Sequence, residues 1–408
     1  MITVKEAFQT IMQSNFRFGT ETIPLEQAVG RVLRESLSAD RDFPPYDRVT
    51  MDGIAINHAA FAQGKRSFPI QSTQTAGSPP QKLHQPTACI EIMTGAMMPE
   101  GTDTIIRYED FSVETLENGT REAVLQVDEV VWRQNVHFQG EDRKQGDILR
   151  EPGSWLSPAE ISVAAKIGQD QLQVSRLPRI ALVSSGDELV EIAATPLPYQ
   201  IRRSNLYMLQ AALREWQIEA QAFHLPDHPD TILAALQDIR DQFDVMILSG
   251  GVSKGKADYI PEALEKLGVT KHFHRIAQRP GKPLWYGEIP DQLQVFALPG
   301  NPVSTFIGFN RYVRPWLLQS LGAPLPRPAY ARLAKEVLFK PDLTYFLQVR
   351  LEMDETGVLL AQPIEGHGSG DLANLMDCDG FLELPQGKNH FQAGESYPLI
   401  PYRTLRQM

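Results

Sequence analysis

Length, composition and charge exclude several classes of protein. At 408 residues the chain is more than twice as long as an average domain, so we expect several domains, each with its own core. A composition of 42% hydrophobic and 22% charged residues excludes wholesale disorder, and a net charge of −11 argues against a general nucleic-acid-binding protein, because phosphate backbones are bound by clustered positive charge.

The N-terminal segment predicts a helix rather than a targeting signal. Thr3 and Glu6 form a capping box that starts a helix at about residue 4, and a second short helix is predicted at 24–34. This segment lacks the apolar run of a signal peptide, and no later run reaches membrane-spanning length. The two cysteines, Cys89 and Cys378, have no metal-motif spacing and are expected to be buried, reduced thiols. We therefore expect a cytoplasmic protein without a membrane partner.

A β-rich insertion is predicted inside a small helical domain. Residues 43–143 combine Pro-rich turns with short, mainly antiparallel strands. After them, a Ser-Pro pair at 157–158 predicts a helix that ends at Gly168 and resembles the first helix in length and pattern. We therefore predict a helical domain split into 1–42 and 144–176, with the β domain inserted between its halves.

Residues 177–325 alternate apolar runs with helical segments, and each apolar run ends in a glycine-bearing turn. This repetition predicts a parallel α/β sheet covered on both faces, with its ligand site beyond the carboxyl ends of the strands. A Pro-rich linker at 324–328 leads into a β-rich domain at 326–408, which we expect to be a small barrel or sandwich. The predicted fold class is multidomain α/β, with a central parallel α/β domain, an inserted β domain, a small helical domain and a C-terminal β-barrel-like domain.

Two turns of the α/β segment are candidates for binding an anion. The turn at 249–255 follows an apolar strand, and its glycines allow backbone amides to approach a ligand closely. In the turn at 298–304 prolines fix the backbone, while Asn301 or Ser304 can cap the next helix, whose N-terminus favours negative groups. Strand-to-helix turns that bind nothing have the same pattern. The candidate binding residues are Gly250, Gly251, Ser253, Pro299, Gly300, Asn301 and Ser304.

A third turn gathers positive charge. Arg279 and Lys282 lie in the sequence RPGKP at 279–283, and Arg275 lies shortly before it. An acidic protein needs such a local basic site to bind an oxyanion or a phosphate. The neighbouring prolines and glycine favour a fixed loop over a solvated charged surface, which is the alternative.

Carboxylates follow the apolar runs of the same segment, at Asp187, Glu188, Asp227 and Asp258. They can converge at one sheet edge, and carboxylates beside phosphate-binding loops are a common way to hold Mg²⁺. A carboxylate at any one of these positions is more often a helix cap or a surface charge, and only the group as a whole favours the functional interpretation.

Other polar residues give weaker indications. Asp52 and Asp142 lie in turn-like parts of the insertion, and their spacing does not show whether they reach the sheet edge. His272 and His274 alternate along a strand without a third ligand, so we interpret them as structural rather than as zinc ligands.

Taken together, these segments resemble the molybdopterin molybdenumtransferase family, which includes MoeA and the E domain of gephyrin. The matching segments occur in the family's order. They are DFPPYDRVTMDGIA at 42–55, MTGAMMPEGTDTII at 93–106, GED at 140–142, SSGDEL at 184–189, SGGVSKGKADY at 249–259, RPGKP at 279–283 and LPGNPVS at 298–304. The C-terminal region matches in placement rather than in motif.

The resemblance implies a homodimeric enzyme that completes the molybdenum cofactor. Family members bind adenylylated molybdopterin in a cleft between the third domain of one subunit and the first two domains of its partner. They hydrolyse the phosphoanhydride with Mg²⁺, insert molybdate and release AMP. The resemblance also implies contact with the molybdopterin adenylyltransferase and with maturation factors of molybdoenzymes.

The family's residue roles carry over to matching positions. Glu188, Asp227 and Asp258 correspond to carboxylates that hold Mg²⁺ or steer the attacking water, and Asp52 and Asp142 correspond to acids of the partner subunit. The three basic residues in and before the third turn correspond to residues that hold molybdate or phosphate oxygens. Carboxylates that hold a metal and cations that hold oxyanions suit phosphoryl cleavage, which depends on positioning and charge stabilisation.

The chain departs from the family pattern mainly in charge. Lysines are replaced by arginines at two positions. The charge is kept, but a compact ammonium is replaced by a planar guanidinium with several donors in a fixed geometry. The added cations indicate either tighter anion binding or a paralogue that binds molybdopterin as a carrier or scaffold without turnover. A different nucleotide or pyrophosphate hydrolase is a third hypothesis. The unusual residues are Arg48, Val49, Ile54, Arg203, Lys254, Lys256, Arg275 and Arg279.

Overall fold

A computed structural model describes residues 1–252, 259–366 and 368–403. The chain divides into two compact units. The first contains Met1–Arg34, Pro152–Pro158 and the chain from Gln171 onward, and the second contains Glu35–Glu151 and Ala159–Asp170. The chain thus leaves the first unit and later returns to it. The finer boundaries of the four predicted domains stay a prediction.

Short elements of both units make up the first 175 residues. The helices are α1 Val4–Met12, α2 His58–Ala62 and α3 Pro158–Lys166, with 3₁₀ turns at Leu25–Gln27 and Tyr108–Asp110. The strands are β1 Thr20–Pro24, β2 Leu37–Ser38, β3 Arg48–Val49, β4 Gly53–Ile56, β5 Ser67–Gln74, β6 Cys89–Ile92, β7 Thr104–Arg107, β8 Phe111–Thr115, β9 Arg121–Leu125, β10 Val136–His137, β11 Ile148–Arg150 and β12 Gln171–Ser175.

Helix α1 begins as the sequence predicts. Thr3 is its N-cap: its hydroxyl accepts from the Glu6 amide at 3.2 Å, and the Glu6 carboxylate accepts from the Thr3 amide at 2.8 Å. The buried residues Val4, Ala7 and Ile11 recur at helical spacing and pack into the core of the first unit.

The prediction of a second helix at 24–34 is wrong. Only Leu25–Gln27 is helical, as one 3₁₀ turn. The amides of Gly30, Leu33 and Arg34 donate to carbonyls of residues 156, 154 and 173, so backbone groups that a helix would use internally are bound to distant segments.

The sheet of the second unit has the order β7-β4-β6-β5-β9-β8. Its pairs are antiparallel apart from β5 with β6, in agreement with the predicted antiparallel character. Cys89 is buried in this core, and burial raises the pKa of its thiol to about 12, so it stays protonated. Cys378 is also buried as a free thiol, in the first unit.

The α/β segment contains longer elements. Its strands are β13 Ile180–Ser185, β14 Leu189–Val190, β15 Ile201–Arg202, β16 Ala220–Leu225, β17 Val245–Ser249, β18 Thr270–His274, β19 Gln278–Arg279, β20 Trp285–Ile289 and β21 Leu293–Leu298. Its helices are α4 Ser204–Arg214, α5 Pro229–Gln242, α6 Ile260–Lys266, α7 Pro302–Gly308 and α8 Arg314–Ser320, with a π-helical turn at Phe309–Val313 between the last two.

The sheet has the order β16-β13-β17-β21-β20-β18. The first four strands are parallel, as predicted, but β20 runs antiparallel to both neighbours, so the sheet is mixed. A three-residue turn joins β20 to β21, and so short a connection permits only an antiparallel pair. Alternate residues of the central strands pack against α4, α7 and α8 on one face and against α5 and α6 on the other. Both faces are therefore covered.

An ion cluster lies at the amino end of this sheet. Asp244, which precedes β17, is 6% exposed and accepts from Arg176 Nη1 at 2.9 Å, Arg179 N at 2.8 Å and Arg179 Nη2 at 3.1 Å. Burial opposes ionisation, but the hydrogen bonds from Arg176 and Arg179 outweigh it and lower the pKa of Asp244. Both oxygens of the carboxylate thus accept hydrogen bonds, and the bonds to Arg179 link the residues that precede β13 and β17.

The C-terminal segment forms a closed barrel rather than a sandwich. Its strands are β22 Ala329–Leu333, β23 Val337–Leu338, β24 Thr344–Met353, β25 Leu359–Pro363, β26 Gly380–Leu384, β27 His390–Phe391 and β28 Ser396–Pro401. Strands β24, β25, β22, β28 and β26 pair in that order, and β26 pairs back to β24. Strand β19 of the α/β segment joins β24 in parallel. No helix of the described residues is long and apolar enough to cross a membrane. A 3₁₀ turn at Ala373–Met376 precedes β26.

Candidate functional site

A cavity of about 700 Å³ lies at the carboxyl ends of β13, β17 and β21. Parallel strands bring their following turns together at this edge, where α/β proteins bind ligands. Among the predicted site residues, those that line it are Glu188, Asp227, Gly250, Gly251, Pro299, Gly300 and Asn301.

The glycines of the first turn have a steric role as well as a place in the cavity. Gly250 and Gly251 have φ of +101° and +70°. A Cβ on Gly250 would lie 3.0 Å from the Ser185 carbonyl, and one on Gly251 would lie 2.4 Å from Ile260 Cδ1. The turn therefore requires glycine, and it also exposes its backbone to the cavity.

Asn205, in the first turn of α4, ties the loops of this edge together. Its Nδ2 donates to Ser249 Oγ at 2.8 Å and to the Gly300 carbonyl at 2.7 Å, and it lies 3.3 Å from Thr305 Oγ1. Its buried Oδ1 has no partner among the described residues. Sequence reasoning missed this role, although a polar residue in the first turn of a helix that follows a strand is a usable signal.

Two carboxylates line the cavity, and neither forms a salt bridge with another described residue. Asp227 accepts from Ser185 Oγ at 2.7 Å, and the Glu188 carboxylate folds over Gly186, where a Cβ would lie 2.6 Å from its Oε2. Asp258 and Ser253 lie outside the described residues. Within the described ranges, no group of three or more His, Cys, Asp or Glu side chains is arranged to hold a metal.

Arginines also reach this cavity. Arg202 and Arg203 line it, and Arg203, one of the unusual residues, pairs with Glu191. Burial and then the charge of Arg203 lower the pKa of His224, so its imidazole is neutral at neutral pH. His224 Nδ1 lies 3.1 Å from Ser184 Oγ, and Ser184 lines the cavity.

A second cavity, of about 1060 Å³, adjoins the first and lies between the third turn and the barrel. Arg279, Lys282 and Ser304 line it, facing barrel residues of β24 and its neighbours. The two cavities share Pro283, Pro299 and Asn301 as lining residues. Of the predicted charged residues, Glu188 and Asp227 thus line one cavity and Arg279 and Lys282 line the adjoining one, rather than all of them sharing a single crevice.

Two predictions about individual residues of this region differ from the structure. Arg275 lines neither of these cavities: it has φ of +96°, and its backbone bonds to Ile2 and Leu284. Asn301 occupies the N-cap position of α7, but its side chain makes no capping bond and donates to Ser369 Oγ at 2.8 Å.

The second unit holds the remaining acids. Asp52 Oδ1 accepts from the amide and hydroxyl of Thr94 at 2.6 and 2.8 Å, and these bonds lower its pKa. Asp142 Oδ1 lies 3.1 Å from His137 Nε2, and His137 Nδ1 lies 3.0 Å from Arg48 Nη2. The unusual Arg48 therefore belongs to the network of one predicted acid.

The alternating histidines have partners within the protein. His272 Nε2 lies 2.9 Å from Glu288 Oε1, and its ring stacks on Tyr286. His274 Nε2 lies 2.9 Å from the Val252 carbonyl. These contacts support the structural interpretation.

Comparisons with known proteins cover nearly the whole chain. A family model of the MoeA N-terminal region (domains I and II) matches residues 2–168, one of a probable molybdopterin binding domain matches 181–319, and one of the MoeA C-terminal region (domain IV) matches 330–402. The molybdopterin molybdenumtransferase of Synechocystis sp. is 39% identical over 98% of this chain and 100% of its own length. The enzyme of the same name from Bacillus subtilis is 29% identical over 98% and 94%.

A solved structure gives the same result. The molybdopterin biosynthesis MoeA protein from Pyrococcus horikosii superposes with a TM-score of 0.84 and 28% identity, over 99% of this chain and 100% of its own. Sequence and structure thus agree over all the regions described above. The chain belongs to the molybdopterin molybdenumtransferase family.

Proposed function

We propose that the protein inserts molybdate into adenylylated molybdopterin and releases AMP. The observation that carries this proposal is the pair of adjoining cavities at one sheet edge: one has glycine turns and carboxylates, and the other has two exposed cations. The names of the full-length relatives support the same activity. No observation favours a carrier or scaffold.

The two cavities offer different sets of groups to the two substrates, and both include cations. The first offers backbone turns, Asn205 and arginines to a pterin and its phosphates. The second offers Arg279 and Lys282 to molybdate, a doubly negative oxyanion that two nearby cations attract. The shared residues Pro299 and Asn301 lie where the two ligands would meet.

The oxygen donors of the first cavity fit Mg²⁺, a hard cation that prefers carboxylates and often bridges to phosphates. Glu188 and Asp227 would hold it, and Asp258 is proposed as a third ligand by sequence alone. When bound, the ion would neutralise phosphate charge during cleavage of the phosphoanhydride. Ser185 Oγ orients Asp227 by donating to it, so this carboxylate is already directed before a ligand arrives.

The test is a discontinuous assay with the purified protein, adenylylated molybdopterin, molybdate and Mg²⁺. We expect AMP release together with cofactor that restores an apo-molybdoenzyme. AMP release that is independent of molybdate would favour a pyrophosphate hydrolase, and binding without AMP release would favour a carrier. A matched control is Asp241→Asn, which removes an exposed carboxylate on α5 outside both cavities.

The proposal includes a cytoplasmic homodimer in which Asp52 and Asp142 act in the site of the partner subunit, and contacts with the adenylyltransferase and with maturation factors. Mixing inactive Asp52→Ala and Asp227→Asn chains tests the shared site. Random exchange of subunits would then give some dimers with one intact site, so activity should return. Absence of recovery after verified subunit exchange would contradict the shared site.

A further inference from the structure

The basic loop Arg279–Pro283 is held from inside the protein by a neutral side chain. Gln278 is 1% exposed, and its Nε2 donates to the Pro280 carbonyl at 3.1 Å and to the Gly281 carbonyl at 3.2 Å. We propose that Gln278 and Tyr312 are positioning residues that fix this loop and thereby set the affinity for the oxyanion, an inference that rests on the proposed function.

Tyr312 fixes the orientation of the Gln278 amide. Its hydroxyl donates to Gln278 Oε1 at 2.5 Å. The ring is fully buried, and burial raises the pKa of the phenol well above its ordinary value, so the hydroxyl remains a donor. Because the amide oxygen is occupied by this donor, the amide nitrogen must face the loop.

The π-helical turn at Phe309–Val313 carries Tyr312 into this position. A π turn adds a residue to a helical turn and so changes the direction of the side chains that follow. Such turns weaken helical hydrogen bonding and recur at functional sites. Here the turn follows α7 in the chain, and the hydrogen bond of Tyr312 to Gln278 links it to the loop that carries the cations.

Two features link Gln278 and Tyr312, which together brace the basic loop, to anion binding. It occupies the carbonyl oxygens of residues 280 and 281, which would otherwise compete with the anion for Arg279 and Lys282. It also requires the glycine of the loop, since Gly281 has φ of +88° and a Cβ there would lie 2.8 Å from Gln278 Nε2. The loop and its brace therefore form one unit.

The structure supplies a matched control. Tyr286 is also fully buried and donates to a glutamine amide oxygen, that of Gln294, at 2.8 Å. Neither residue lines a cavity described here. Tyr286→Phe and Tyr312→Phe each remove one buried hydroxyl and keep the ring, so their effects on stability should be similar while their effects on the loop differ.

The experiment is calorimetric titration of the full-length protein with sodium molybdate, followed by the transferase assay at varied molybdate. We expect Tyr312→Phe to raise the Kd and KM for molybdate by about threefold to tenfold, the loss of one hydrogen bond, with kcat nearly unchanged. Gln278→Met should raise them further, and Tyr286→Phe should leave both at the wild-type value.

Equal effects of Tyr286→Phe and Tyr312→Phe, or an effect of Tyr312→Phe on kcat alone, would overturn the positioning role. So would a wild-type protein that does not bind molybdate. Failure of the proposed function is distinct, because it would appear as absence of AMP release whether or not molybdate binds.

Discussion

The two ends of the central sheet use carboxylates in opposite ways. At the amino end, Asp244 is buried and its oxygens are occupied by Arg176 and Arg179. At the carboxyl end, Asp227 accepts from a neutral hydroxyl and faces a cavity. A buried carboxylate whose charge is matched stabilises the fold, whereas one left unmatched beside a cavity is available to a cation or to a substrate.

The largest expected effect is at the carboxyl end. Asp227→Asn keeps the shape of the side chain and removes its charge, so the rate of AMP release should fall about 100- to 1,000-fold. Its free energy of unfolding should change by less than about 1 kcal/mol, because the carboxylate has no ion pair in the described structure to lose. Steady-state kinetics and urea titration check both values. A stability loss without a rate loss would erase the contrast between the two ends.

At the amino end of the sheet we expect a loss of stability without a loss of activity. Asp244→Asn removes the carboxylate from two partly exposed arginines, which water can then solvate, so the free energy of unfolding should fall by about 1 to 2 kcal/mol. The folded variant should keep kcat and KM, since Asp244 lines neither cavity described above. Chemical denaturation measures the first effect, and assays well below the transition measure the second. A selective loss of activity would show that this end also contributes to the site.

A cation at the second cavity sharpens the comparison. Lys282→Ala should raise the KM for molybdate about tenfold with little change in kcat or stability, because a charge-assisted contact to the anion is lost. Lys340→Ala is the control, an exposed lysine of the barrel segment outside both cavities. An unchanged molybdate dependence would remove Lys282 from the site.

The smallest effect concerns pH. The folded pKa of Asp244 lies below its unfolded value of about 3.9, so its contribution to stability is complete above that value and is lost as pH falls through the lower folded pKa. The difference in unfolding free energy between the wild type and Asp244→Asn should therefore shrink below about pH 4. Denaturant titrations between neutral pH and pH 3 test this. A constant difference would mean that the charge of Asp244 contributes nothing.

Local signals in the sequence determined much of the fold. The capping box of α1 and the glycine-ended apolar runs depend on neighbouring residues, and both are found where predicted. The turns with Gly250 and Gly300 also meet at one edge, because each follows the carboxyl end of a strand and the two strands are parallel neighbours. The helix expected at 24–34 failed because its amides bind carbonyls more than a hundred residues away, which no local pattern reveals.

The tertiary structure alone decided how the site residues are grouped. Arg279 lies in a second cavity because β19 pairs with β24, whose paired residues lie 66 positions later in the sequence, and this pairing brings the barrel against the basic loop. Asn205 and Gln278 gain their roles from partners on other elements, and Arg275 lines neither cavity although it lies only four residues before Arg279. Sequence patterns report which residues suit a chemistry, but long-range pairing of backbone and side chains determines which of them meet.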